Sequence, residues 1–367
     1  MQNYRPAAAD EEPDAGDSSI SGVAEAYRAE QTDGVVHLVD ADAETVVSLL
    51  PSSGNVTFEM RIKGHNVLRF PYESVDDFRA RDARGMVGIP FLGPWANRLD
   101  ELAFYANGRR YAFDMGIGNI RGELPIHGFL TTTDRWRVVE VDADAHGARV
   151  TSRLEFYKDP AWMKQFPFAH TVQMTHRLAG GVLEVATRIE NLSFEAMPVA
   201  VGFHPYVELT DSARDEWTIS VGAKTRWVLA PGKVPTGETE PIERFFPDPH
   251  AVPLKEYELD DVFGDLERDG SGRAAMSVAG KRQRVDVVFG PNFKAAVVYA
   301  PRDRNFICFE PMAGITDSMN LAQRGLYHEL QTIAPSGTWE ERFWVRPSGF
   351  ASGAHTETRS TRSNGAE

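Results

Sequence analysis

The stretch GGVLEVATRIEN, residues 180–191, places Leu183, Val185, Thr187 and Ile189 on one face of an extended chain and Glu184, Arg188 and Glu190 on the other. Successive side chains of a strand point to opposite faces, so this period of two reads as a half-buried antiparallel strand. Similar short runs recur along the chain: GVVHLVDA, NVTFEMRIK, WRVVEVD, HTVQMTHRL, VAVGF, VDVVFG and AAVVYA, each bounded by Gly, Pro, Asn or Asp. Helical periodicity is scarce. Many strands at roughly ten-residue spacing, with no long helices between them, predict an all-β fold, a single large antiparallel β-sandwich.

No Pro/Ser-rich linker divides the chain, so one domain is expected over residues 23–350. Residues 1–22, rich in Ala, Asp, Glu and Ser, and the polar residues 351–367 read as disordered tails. The hydrophobic content of 42% and charged content of 25% suit a soluble globular protein. Fifty-three acidic against 39 basic residues give a net charge of -14, which disfavours nucleic acid and anionic membranes as partners. The lone cysteine, Cys308, permits no intrachain disulfide. With no secretory leader or membrane-length apolar run, a cytoplasmic location is the expectation. GIGNIRG (116–122) departs from the dinucleotide fingerprint, and GxxxxGK[ST] is absent, so no nucleotide cofactor is expected.

Five places put ionisable residues beside Pro, Gly or aromatic neighbours, where a strand end presents a side chain. They are PWANRLDE with Arg98, LPIHGF with His127, GFHPY with His204, ELDDVF with Asp260 and Asp261, and ICFEPMAGITDSMN (307–320) with Glu310. Singly, each has an ordinary reading: a satisfied histidine, an ion pair of Arg98 with Asp100 or Glu101, a solvated aspartate turn. Glu310 is different, because a carboxylate directly after Phe306, Ile307, Cys308 and Phe309 is costly to desolvate unless paired, exposed or used. Cys308 shares its strand face with Glu310, yet its apolar neighbours favour a buried, inert thiol. His127, His204 and Glu310 would suit zinc or iron, but HExxH and HxH patterns are missing, and no metal is expected.

Taken in order, GIPFLGPWANRL, NG..Y.F, IHGF, GFHPY, LDDVF, FEP and GTWEERFWVRP resemble the aldose 1-epimerases, also called mutarotases, over about residues 88–346. The resemblance implies a galactose mutarotase-like supersandwich and the exchange of α and β anomers of a free monosaccharide without a cofactor. It implies Glu310 as catalytic base and His204 as general acid, with Arg98, His127 and Asp260 binding substrate. Asp260 is preferred to Asp261 on the D-x-x-F pattern. Trp95, Phe129 and Trp162 are the candidates for a flat surface under the sugar ring. IHGF in place of a double-glycine LHGG, and PMAGITD after Glu310, depart from the galactose enzymes and leave the preferred aldose open. Two alternatives share the fold: a carbohydrate-binding protein without turnover, and a mutarotase of hexose 6-phosphates using Arg81, Arg84, Arg121 or Arg302. An imidazole acid must carry a proton near neutral pH, and a neighbouring Glu310 carboxylate is expected to favour that.

Overall fold

The structure is a computed structural model, and it describes residues 26–80, 87–114 and 120–352. Residues 1–22, the end of the chain from 353, Arg81 and Arg84 lie outside the described residues.

Strand Val182–Asn191 forms as its alternation requires, with Leu183, Val185, Thr187 and Ile189 buried and Arg188 exposed. Gly180 and Gly181, at φ +56° and +71°, make the two-residue turn that joins it to His170–Ala179. Two successive positive φ angles match the right-handed twist of a hairpin, and glycine adopts them without a Cβ clash. On its other side Val182–Asn191 pairs with Thr338–Ser348, from the far end of the chain. These strands lie in a nine-stranded sheet ordered Arg137–Asp144, Gly147–Glu155, His170–Ala179, Val182–Asn191, Thr338–Ser348, Arg284–Phe289, Ala274–Ala279, Thr218–Val221 and Val252–Pro253.

An eight-stranded sheet faces it, ordered Pro235–Pro241, Ala223–Leu229, Leu259–Leu266, Ala295–Ala300, Ile307–Met312, Gly202–Phe203 and Phe91–Leu92, with Tyr206–Val207 paired to Ile307–Met312 off this path. The facing sides meet in one apolar cluster, where the Phe203 ring lies 4.7 Å from Phe343 and Phe263, Val298 and Phe309 join it. Each such side chain taken from water contributes roughly 1.5–3 kcal/mol. A five-stranded sheet, Tyr27–Thr32 through His65–Asn66, adds Val36, Leu38, Val47 and Leu49 to the same cluster.

The eight-stranded sheet positions the site. In Ile307–Met312 the period of two sends Ile307 and Phe309 into the shared core and turns Cys308 and Glu310 the other way. That second face is also covered: Cys308 packs with Tyr206 and Phe306, and Met312 with Leu92, Val262 and Val297. Every residue of the strand is buried, so Glu310 lies inside the protein rather than on its surface. The described α-helices, Val75–Ala80, Pro160–Gln165 and Ser318–Gln323, have six residues each. Among the described residues no helix is long and apolar enough to cross a membrane.

Candidate active site

A cavity of about 360 Å³ opens on the second face of the eight-stranded sheet. Arg98, His127, His204, Asp260 and Glu310 all line it, although they are spread over more than 200 positions of sequence. Adjacent strands explain this, since Asp260 stands opposite Tyr299, Tyr299 opposite Cys308, and Val297 opposite Glu310. Asp261, one residue on, turns the other way and takes two hydrogen bonds from Arg226, at 3.0 and 2.7 Å.

His204 and Glu310 are in contact, with Nε2 3.1 Å from Oε1. The Tyr206 ring stacks on the imidazole at 4.3 Å between centroids and 9° between planes, with its hydroxyl 3.4 Å from Nε2. Both members of the pair are buried, and burial penalises their charged forms. Burial, reinforced by Asp260, pushes the Glu310 carboxyl well above the usual carboxylate range, against the opposing pull of Arg98. Burial and His127, then Arg98, hold the His204 imidazole well below its usual range. The expectation that Glu310 would favour an imidazolium is therefore corrected, because desolvation outweighs the neighbouring carboxyl. Both shifts favour the neutral forms, a protonated carboxyl beside an unprotonated imidazole across a 3.1 Å contact. Glu310 Oε2 and His204 Nδ1 have no hydrogen-bond partner among the described residues.

Arg98 is held from both ends. Its Nη2 meets Asp260 Oδ2 at 3.2 Å, and its Nη1 and backbone N–H donate to Asn97 Oδ1 at 3.0 and 2.9 Å. The partners considered from sequence are taken elsewhere, Asp100 by Arg324 and Glu101 by Arg110. Asn97 also fixes His127: its N–H donates to Nδ1 at 3.1 Å, while the His127 N–H donates to the Asn97 carbonyl at 2.9 Å. Since Nδ1 accepts, a neutral ring carries its proton on Nε2 and offers a donor. Burial, Arg98 and Arg121 push the His127 imidazole down to about 3, which keeps it neutral.

The glycine of IHGF has a physical reason. Gly128 lies at φ +59°, and a Cβ there would sit 2.1 Å from the Gly93 carbonyl oxygen. That carbonyl accepts the Phe129 and Leu130 N–H groups at 3.0 and 3.1 Å, locking the turn that presents His127. Gly128→Ala is expected to destabilise the protein by at least ~2 kcal/mol, measured as a drop in the urea midpoint at unchanged slope. Phe129 is absent from the positive-φ positions, so a second glycine is not required there.

Sequence reading left the aromatic surface open among Trp95, Phe129 and Trp162, and the structure uses all three for packing. Phe129 lies 5.8 Å from Trp95 and 6.2 Å from Trp162, and none lines the cavity. The aromatics that do are Tyr299 and Tyr206. The alternation in AAVVYA could have flagged Tyr299, because Val297 and Tyr299 share the face that adjoins Glu310 and Asp260. Cys308 is fully buried, and burial together with Glu310 pushes its thiol well up, as suits an inert group. Among the described residues no three His, Cys, Asp or Glu side chains converge as a metal-binding group.

The chain is thus an all-β supersandwich whose cavity holds a buried imidazole–carboxyl pair. Residues 54–344 match the aldose 1-epimerase family, and the chain belongs to it. Its fold is similar to a galactose mutarotase-like protein of Clostridium acetobutylicum, with a TM-score of 0.77, 21% identity, and coverage of 88% of this chain and 98% of that one. It is also similar to a galactose 1-epimerase of Lactobacillus acidophilus, with a TM-score of 0.67, 16% identity, and coverage of 87% and 96%. The uncharacterized protein YihR of Escherichia coli K12 is 27% identical over 146 residues, which span 40% of this chain and 44% of that relative.

Proposed function

We propose that this protein is a cytoplasmic aldose 1-epimerase that interconverts the α and β anomers of a free monosaccharide without a cofactor. The observation that carries the reading is the 3.1 Å contact between His204 Nε2 and Glu310 Oε1 inside the cavity lined by Arg98, His127 and Asp260. Glu310 is the base and His204 the acid; Arg98, His127 and Asp260 hold the sugar hydroxyls.

Anomer exchange needs one proton removed from the C1 hydroxyl and one delivered to the ring oxygen. Glu310 takes the first and His204 gives the second, so the C1–O5 bond breaks and an aldehyde forms. The pair then holds its one proton on the carboxyl, and the imidazole is neutral. Burial favours this distribution, so the environment stabilises the state that accompanies the open chain. After rotation about C1–C2, the carboxyl returns its proton to the aldehyde oxygen while His204 removes the C5 hydroxyl proton, and the ring closes as the other anomer. No net proton, electron or group is exchanged with solvent. The unpartnered Glu310 Oε2 supports the assignment, since a sugar hydroxyl donating to it would relieve a buried acceptor, typically worth about 1–3 kcal/mol.

A second reading makes the substrate an anionic aldose such as a hexose 6-phosphate. It is favoured by Arg121, which lines the cavity, is exposed and forms no ion pair among the described residues. Arg302 is not available for this, because it donates to the Lys255 and Glu256 carbonyls at 3.2 and 3.1 Å. Under this reading Arg121→Ala raises KM for glucose 6-phosphate about tenfold and leaves glucose within about twofold, since a charge-assisted hydrogen bond contributes roughly 1.5–3 kcal/mol. Equal effects on the two sugars would reject it. The non-catalytic alternative is tested by calorimetry beside a mutarotation assay: sugar binding with no acceleration of anomer exchange would establish it.

A further inference from the structure

Residues 313–320, which follow the Glu310 strand, fold back against the segment that carries Arg98. Asp317 lies there, buried, in the left-handed region at φ +62°. Its N–H donates to the Arg98 carbonyl at 3.0 Å, and its Oδ1 accepts the Asp100 N–H at 3.1 Å. These two bonds bracket Leu99 and fix the backbone immediately after Arg98. Asp317 precedes helix Ser318–Gln323, yet its side chain makes no capping bond there. Helix formation therefore does not explain the carboxyl. Its Oδ2 is buried without a hydrogen-bond partner among the described residues, and Arg324 Nη2 stands 4.0 Å away.

We propose that Asp317 is a positioning residue for Arg98, acting on residues 98–100 through this two-bond clamp. The inference rests on reading the cavity as an aldose site. Arg98 reaches Asp260 and Asn97 with its guanidinium, and its backbone is held by Asn97 and by the Leu99 N–H, which donates to the Pro125 carbonyl at 3.1 Å. Asp317 ties the same backbone to the loop that leaves the Glu310 strand, so the arginine and Glu310 share one frame. Small displacements of a substrate-holding group are costly to catalysis, which gives the clamp its importance.

The groups facing the Asp317 carboxyl are Asp100, on the clamped segment, and Arg324, at the end of the helix; Arg324 is itself committed to Asp100. Asn320 Nδ2 donates to Asp100 Oδ1 at 2.9 Å and adds no charge. Burial, and next the charge on Asp100, push the Asp317 carboxyl up to about 8, against the pull of the Asp100 N–H and Arg324. Its folded value lies above the ordinary 3.8, so the stability tied to this proton is present below pH 3.8 and lost as pH rises through about 8. Above that, two carboxylates oppose each other beside one guanidinium, and the clamp loosens.

The test uses the full chain and two variants. Asp317→Asn keeps the acceptor and tolerates the left-handed φ but cannot ionise. It is expected to hold KM within about twofold at pH 7 and to remove the loss of sugar affinity above pH 8. Asp317→Ala is expected to raise KM about tenfold with a much smaller change in kcat, the scale of one buried hydrogen bond lost. It should also speed hydrogen–deuterium exchange at residues 98–100 about tenfold. An Asp317→Asn pH profile that superimposes on wild type overturns the proposal, as does a folded Asp317→Ala variant with wild-type KM and wild-type exchange. If the wild-type protein turns over no aldose, the reading of the cavity fails, and exchange at residues 98–100 alone decides the clamp. Should Asp317→Ala not fold, the Asp317→Asn pH dependence of thermal stability decides it: a flatter curve between pH 5 and 8 supports the clamp and an unchanged curve overturns it.

Discussion

Glu310→Gln is expected to lower kcat/KM by about 10²–10⁴-fold while making the protein more stable at neutral pH. The activity loss follows from removing the base of a pair that must hold one proton and pass it. The stability gain follows from burial. The folded carboxyl lies well above its ordinary 4.5, so the stability associated with its proton is fully present below pH 4.5 and declines as pH rises through the folded value. At pH 7 the wild-type protein carries that penalty and glutamine does not. A gain of ~1 kcal/mol would raise the melting temperature by about 2 °C. The gain should disappear near pH 4, where the wild-type carboxyl is protonated whether folded or unfolded. A variant that is inactive and less stable at pH 7 would count against the buried, proton-holding Glu310 described above. Exchanging stability for a functional buried acid is a common feature of active sites.

His204→Gln is the second large effect, an expected fall in kcat of about 10²–10⁴-fold with KM changed far less, because the imidazole's main contribution is to the transferring proton. The pH dependence gives a sharper signature. Wild-type activity should be bell-shaped, since the pair works with one proton and fails with none or two, and both limits belong to the pair. The imidazole is held below its ordinary 6.5, so its contribution to stability is present above pH 6.5 and lost as pH falls through the folded value. His204→Gln should therefore flatten both the acid limb of activity and the acid-side decline in melting temperature. Measured profiles that keep the wild-type acid limb would move the acid to another residue.

The strands were legible because their reading is local. GGVLEVATRIEN carries its own alternation, and the two glycines mark the turn into it. Its other neighbour was not legible, because pairing with Thr338–Ser348 depends on a return of the chain from some 150 positions away. The site shows the same division. Glu310 stood out as a carboxylate following an apolar run, and the ordered motifs brought Arg98, His127, His204 and Asp260 with it. Only the fold shows that Arg98 and Asp260, 162 positions apart, meet at 3.2 Å. Trp95, Phe129 and Trp162 looked available as a sugar platform because sequence records their rings but not the side they face. The expectation about protonation failed for a related reason: the resemblance pairs a carboxyl with an imidazole but does not show that both are dry. Asp317 was in view within PMAGITD, yet its partners Arg98 and Asp100 belong to a segment more than 200 positions earlier.

The most direct measurement is polarimetry of freshly dissolved α-glucose and α-galactose with wild-type protein and Glu310→Gln side by side. The proton-sharing pair requires wild-type protein to hasten the approach to the equilibrium rotation of at least one of them, and the variant to run at the rate of buffer. Equal acceleration by both proteins would contradict it.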